Sequence, residues 1–259
     1  MSPVLVGSID VAMLCVIAFF LFFLGLVVYL RREDRREGYP LEDDITGRLM
    51  NAGGVLSLAA PKTFNLPHGH GSVSVPVGHT ENREPVAIAA RRTARFPGAP
   101  MEPTGNPLVD GVGPASFANR AKRPDVDWEG HPRIVPIDSV GGLYIARQDA
   151  DPRGYTVYGA DHEVAGTVTD LWVDRADRLI RYLQVELAGG RSITMPFNVC
   201  IVVPRRQAVN CDAITAAQFA DAPATDSNQL ITLYEEERVQ AYFGGGYLYA
   251  TPERAEPKW

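Results

Sequence analysis

What this sequence lacks narrows it first. No Lys or Arg precedes Asp10, and the apolar run that follows has no small-residue cleavage site, so the marks of a cleaved secretory signal are missing. The 3 cysteines, Cys15, Cys200 and Cys211, show no metal-ligand spacing, and in a reducing compartment they read as small buried hydrophobes. A formal net charge of −6 argues against nucleic-acid binding, which needs a basic face to displace counterions from phosphates. There is no Ser-His-Asp order, no dinucleotide glycine motif and no zinc-ligand repeat, so nothing points to an enzyme standing alone. The run Gly244–Gly246 lacks the Lys and the Ser or Thr of a phosphate-cradling loop; it reads as a turn or a close-packing site. Long hydrophobic runs are absent as well, with one exception.

That exception organises the chain. Val11 to Leu30 (VAMLCVIAFFLFFLGLVVYL) carries no charge, and at about 1.5 Å of rise per residue it reaches roughly 30 Å, the thickness of a bilayer's hydrocarbon core. A lone span must satisfy its own backbone in lipid, so it is expected to be a transmembrane helix. The N-terminal side, residues 1–10, holds no basic residue, whereas the exit side reads Arg31, Arg32, Glu33, Asp34, Arg35, Arg36. Basic residues near a span are retained in the cytoplasm, which places the N-terminus outside and the large remainder inside. Tyr29, Arg31 and Arg32, at the water boundary, suit anionic lipid head groups.

From Glu37 to Phe117 the sequence is crowded with Gly and Pro, and its apolar residues, among them Leu41, Leu56, Phe64, Leu66, Val73, Ile88, Phe96 and Leu108, keep neither helical nor strand period for long. Such a segment cannot bury a compact core of its own. Two readings stay open: an extended, irregular strap over residues 31–117 that hugs another protein's surface, or a loosely ordered linker.

Past Asp125 short strands alternate with turns. Candidates are Ile134–Ile137, Gly142–Ala146, Tyr155–Tyr158, His162–Asp174, Arg178–Leu187, Ser192–Val203, Ala208–Cys211 and Gln229–Leu233, with a helical turn at Ile214–Phe219 and a short helix at Glu235–Tyr242. In Arg178–Leu187 the residues Leu179, Leu183, Val185 and Leu187 share one face, with Arg181 as the odd member. Strands of this length and spacing argue for a small antiparallel barrel or sandwich. The fold class expected is therefore a single N-terminal transmembrane helix plus a mainly β domain over 118–259, preceded by the irregular segment and ending in a helical stretch. His68 and His70 could form a metal pair but have no third ligand at a plausible spacing, and His79 and His162 have no evident partner.

Several colinear stretches carry a resemblance. Arg31–Leu41, Pro61–Gly69 (PKTFNLPHG), Pro103–Phe117 (PTGNPLVDGVGPASF), Gly166–Asp174 (GTVTDLWVD) and Tyr249–Glu256 (YATPERAE) resemble the H subunit of the purple-bacterial photosynthetic reaction centre, and residues 134–203 resemble its PRC-barrel module. The resemblance implies a non-catalytic subunit, N-terminus periplasmic, that caps the cytoplasmic side of the L and M subunits in the bacterial inner membrane. It implies partner contacts at Tyr39 and Arg181, and no cofactor on this chain; bacteriochlorophyll, bacteriopheophytin, quinones, non-haem iron and a carotenoid would belong to the complex, which an antenna ring or a cytochrome subunit could join. It also implies proton delivery to the secondary quinone through Asp127, Glu129 and His131, and through Asp174 and Asp177. The sequence departs from some relatives at Glu129, where they have a second histidine and a metal-blockable site, and at Asp177, where they have a glutamate. Two rival readings remain at this stage: a membrane-tethered PRC-barrel adaptor for some other soluble partner, and a metalloenzyme using His68, His70 or His131.

Overall fold

The structure, a computed structural model, describes residues 4–6, 9–37, 39, 41, 43–48, 59–76 and 87–255; Leu56, His79 and Glu256 fall outside these. The chain divides into two compact units, Met1–Val86 with Thr93–Pro100, and Ala87–Arg92 with Met101–Trp259.

In the first unit, strands β1 (Val4–Val6) and β2 (Ile9–Asp10) pair antiparallel and lead into helix α1, Val11–Glu33. Asp10 caps its start: its carboxylate accepts the Met13 amide at 2.8 Å. The helix runs on past Leu30, with Arg31 and Arg32 in its last turn, where cations complement the negative end of the dipole. None of its residues is buried by the rest of the chain. A 23-residue apolar helix left bare in this way is long enough to cross a membrane, and water would be its worst surroundings. Just beyond it, Arg36 donates to Glu33 through Nε and Nη2, each at 2.8 Å, and to the carbonyls of Ala60 and Val75 at 2.8 and 3.0 Å. Those contacts tie the helix end to the hairpin of β3 (Lys62–Asn65) and β4 (Ser72–Val75), whose opposed Phe64 and Val73 are both exposed.

The second unit begins with a small hairpin, β5 (Ala90–Arg92) and β6 (Met101–Pro103), followed by the one-turn helix α2, Pro107–Asp110, capped by Asn106. Leu108, Val112 and Ala115 are buried. The Gly/Pro-rich segment therefore changes character along its length: Leu41, Phe64, Val73, Ile88 and Phe96 are exposed, while its last stretch packs on the C-terminal helix.

The main sheet has seven strands. β7 (Ile134–Pro136), β8 (Thr156–Tyr158), β9 (Val164–Asp174), β10 (Leu179–Leu187), β11 (Ser192–Pro196), β12 (Cys200–Val203) and β13 (Ala208–Cys211) are arranged in the order β11-β10-β9-β8-β13-β12, with β7 also on β9. All pairings are antiparallel except that of β13 with β8. The sequence suggested a strand over Ser192–Val203 with an edge or a bulge marked by Pro196 and Pro204. The structure breaks it at a 3-10 turn, Phe197–Val199, directly after Pro196, whose missing N–H ends the ladder. The two halves then pair at opposite ends of the sheet, so a single bent segment bridges the seam of the barrel, which hydrogen bonds among the described residues leave open. Trp172, Leu183, Val185, Ile193 and Met195 fill the core with Phe219, Phe243 and Val239.

Two expected strands are absent. Gly142–Ala146 is a turn and an irregular stretch, because Gly142 sits at φ +84° and breaks the extension; Leu143 and Ile145 still pack on the core. Gln229–Leu233 is not a strand because Thr232 caps helix α3, Leu233–Tyr249. The Glu235 carboxylate accepts from Thr232 Oγ1 and N at 2.6 and 2.7 Å and from the Asp226 amide at 2.6 Å, a capping box that competes successfully with extension. α3 runs to Tyr249, so the triple glycine lies inside it and is a close-packing site rather than a turn. A Cβ on Gly245 would meet Ala115, and one on Gly246 would strike the Ala213 carbonyl and Ile214.

Replacing Gly246 by Ala is accordingly expected to destabilise the barrel unit by about 1–3 kcal/mol, since overpacking outweighs the helix propensity gained. Thermal unfolding of the detergent-solubilised chain checks this, with Gly244→Ala, where the structure leaves open space, as the control that should not lose stability.

Candidate functional site

The turn that follows Val126 is built by one carboxylate. Asp127 Oδ1 accepts the amides of Glu129 and His131 at 3.0 and 2.9 Å, and Gly130 takes φ +89°, which closes the loop so that Val126 pairs with Pro132. His131 Nδ1 then lies 3.3 Å from Glu129 and 3.6 Å from Asp127. Burial pushes the Asp127 carboxyl up, but the His131 and Glu129 amides and the charges of His131 and Arg175 outweigh it and hold it below the usual carboxylate range. One ligand atom from each of Asp127, Glu129 and His131 lies within 4.8 Å of the others, so this nitrogen and oxygen set has the spacing to hold a borderline metal ion. His68 and His70, with ring centroids 6.5 Å apart, gather no third ligand among the described residues.

The second cluster sits where β9 turns into β10. Asp174 is fully buried, and its Oδ1 accepts the amides of Ala176 and Asp177 at 2.9 and 3.0 Å. Arg133, placed just before β7, donates to Asp174 at 2.9 Å and to Asp177 at 2.6 Å, and lies 3.7 Å from Asp125. Arg181 approaches Asp174 at 3.5 Å and Asp177 at 4.0 Å. The backbone joins the two clusters: the Arg175 amide donates to the Arg133 carbonyl, and the Arg133 amide donates to Asp125, each at 2.9 Å. Burial pushes Asp174 up, and the Asp177 amide, Arg133 and the Ala176 amide more than reverse it, so the carboxyl stays below its ordinary range.

A cavity of about 380 Å³ opens beside this pair, lined by Asp125, Arg133, Asp174, Arg181, Tyr182 and Glu236 among others. Glu236 behaves in the opposite way to Asp174. Burial pushes its carboxyl up and the negative charges of Asp125 and Asp174 add to that, against the Tyr182 hydroxyl, which donates at 2.9 Å, and the charge of Arg181. The net shift is upward, so Glu236 is a weaker acid than an ordinary carboxyl. Gln240 completes the set by donating to the Tyr182 hydroxyl at 3.2 Å.

Sequence reasoning named Asp127, Glu129, His131, Asp174, Asp177 and Arg181, and the structure groups them into these two adjacent clusters. It missed Arg133, Asp125 and Glu236. Arg133 had a signal, a lone cation between an acidic turn and a strand; Glu236 stands in the run Glu235, Glu236, Glu237 at a helix start, where negative charge already has a reason in the helix dipole. In the other unit, Tyr29 and Arg32 are exposed, Arg31 pairs with Asp34 at 3.1 Å, and the Tyr39 ring lies under the Arg35 guanidinium, 5.4 Å from its centroid.

A bare apolar helix long enough to cross a membrane, on a chain whose second unit is a mainly β domain with two clusters of acids, points to a membrane-anchored protein. Residues 3–139, more than half of the chain, match the family model for the photosynthetic reaction centre H-chain N-terminal region, and residues 146–218 match that for the PRC-barrel domain. The chain belongs to the photosynthetic reaction-centre H-chain family and is a structural subunit of that complex.

Arg133→Ala strips the buried Asp174 of its main countercharge and is expected to cost about 3 kcal/mol. The pH dependence follows from the sign of the shift. Asp174 is held low, so its contribution is present above the unfolded carboxylate value and is lost as pH falls through the lowered folded value. In Arg133→Ala that contribution should shrink, because only the turn amides still favour the ionised form, and denaturant titrations at pH 7 and in acid will show a smaller difference between the two conditions than in the wild type.

Proposed function

We propose that this chain covers the cytoplasmic face of the L and M subunits, with its N-terminus in the periplasm, and passes protons from the cytoplasm toward the secondary quinone. Membership of the H-chain family supports the assembly, and the basic exit flank of α1 supports the orientation. Tyr29, Arg31 and Arg32 then lie at the level of lipid head groups, and Tyr39 and Arg181 are partner contacts. The chain binds no cofactor itself; the pigments, quinones, iron and carotenoid are carried by its partners.

The observation that carries the proton role is the pairing of a carboxylate held low with one held high around a single cavity. His131, exposed and flanked by Asp127 and Glu129, is the collecting group, since an imidazole is the side-chain type that can both accept and donate a proton at the surface. Asp174 stays ionised. Its fixed negative charge, with that of Asp125, adds to burial in raising the proton affinity of Glu236 across the cavity, and the half-exposed Asp177, held by the cavity-lining Arg133, offers an acid open to solvent. Arg133 and Arg181 keep this pool of acids from repelling itself apart. Tyr182 and Gln240 orient the Glu236 carboxyl.

Glu236→Gln with Asp177→Asn is expected to slow flash-induced proton uptake and the second electron transfer to the quinone by roughly tenfold, ~1.4 kcal/mol of barrier, while primary charge separation is unchanged. Uptake at the wild-type rate in that double variant refutes the route. Zn²⁺ should slow uptake by competing with the proton at Asp127, Glu129 and His131, with reversal by a chelator, and this sensitivity should disappear in His131→Ala.

A further inference from the structure

Two of the three cysteines face each other. β12 and β13 pair antiparallel with Cys200 directly opposite Cys211. Directly opposed residues of antiparallel strands point to the same face with Cα atoms about 4.5–5.5 Å apart, inside the range of roughly 4.4–6.8 Å that a disulfide spans. Cys211 is part of the hydrophobic core, Cys200 packs against it, and neither belongs to the acid clusters. β12 is an edge strand that follows the 3-10 turn bridging the barrel seam, so it is held by hydrogen bonds on one side alone among the described strands. The Cys200 thiol donates to the Pro196 carbonyl at 3.1 Å.

We propose that Cys200 and Cys211 are a modification site, a dithiol that a peroxide closes into a cross-strand disulfide clipping the seam strand to β13. At rest, burial pushes both thiols up, so they are protonated and inert as metal ligands. Cys211 is the readier to ionise, because the amides of Ile214 and Ala213 and the charge of Arg254 favour its thiolate. The Cys211 thiolate attacks one peroxide oxygen; the O–O bond breaks, the departing hydroxide takes up a proton as water, and a sulfenic acid remains. The Cys200 sulfur then attacks the Cys211 sulfur, the S–O bond breaks, and the hydroxide leaves as a second water with the proton from Cys200. Two electrons pass from the sulfurs to the peroxide. Because the thiols are buried, closure is slower than oxidation of an exposed thiol, and the reduced pair is the resting state in a reducing compartment.

The test is chemical. The full-length chain in detergent is exposed to hydrogen peroxide, quenched with N-ethylmaleimide under denaturing conditions, digested and weighed. The expected product is a linked pair of peptides holding Cys200 and Cys211, about 2 Da lighter than the two thiol peptides together and separated by dithiothreitol. Cys200→Ser and Cys211→Ser must each abolish that species. The proposal is overturned if, in the wild type, both cysteines remain maleimide-labelled, are oxidised singly to sulfinic or sulfonic acid, or link to Cys15 or to a second chain instead.

Discussion

Asp174 keeps a negative charge at a position with no solvent exposure, and the barrel unit is arranged around keeping that charge there. A buried carboxylate costs several kcal/mol unless it is paired and hydrogen-bonded. The two amides of its own turn, Arg133 and the nearby Arg181 supply the compensation, and in doing so Arg133 fastens the segment preceding β7 to the tip of the β9–β10 hairpin. The Asp127 turn is attached through the same segment. The Arg133 side chain thus adds to the backbone bonds that already join the group at the surface to the group at the cavity.

The same charge sets the chemistry next to it. Two carboxylates facing one cavity are driven apart in proton affinity: the one with a guanidinium and two amides ionises, and the one with a phenol and a buried wall retains its proton more tightly. Catalytic sites use this division of labour between paired acids to run acid and base steps. Here the same division leaves Glu236 the weaker acid of the two, which is what the proposed proton route draws on.

The chain also displays, in both units, apolar surface that it does not cover itself. α1 has no buried residue, and Phe64, Val73, Ile88 and Phe96 are exposed on segments with little core of their own. Surface of this kind is costly in water and normal in a component of a larger assembly, where lipid and neighbouring subunits remove it from solvent. The strap reading of the Gly/Pro-rich segment draws its force from that imbalance. The buried Leu108, Val112 and Ala115 mark where the segment joins the barrel domain, against the glycine face of α3.

Local signals made the membrane helix, the long β9 and β10 strands and the β13 strand legible, because hydrophobic runs and period-two alternation act over a few residues. Thr232 was misjudged because a strand and a capped helix start compete for the same short sequence, and only the buried Glu235 decides between them. The sequence by itself determined that this chain has a membrane span, a β-rich domain and two acidic turns. Which groups meet was decided by the tertiary fold alone: Arg133 and Asp174 lie 41 residues apart and Tyr182 and Glu236 lie 54 apart. Contacts at that separation, like the sharing of one strand between the two ends of a sheet, depend on how the barrel closes, and no local pattern of residues encodes the balance of burial and charge that closure creates.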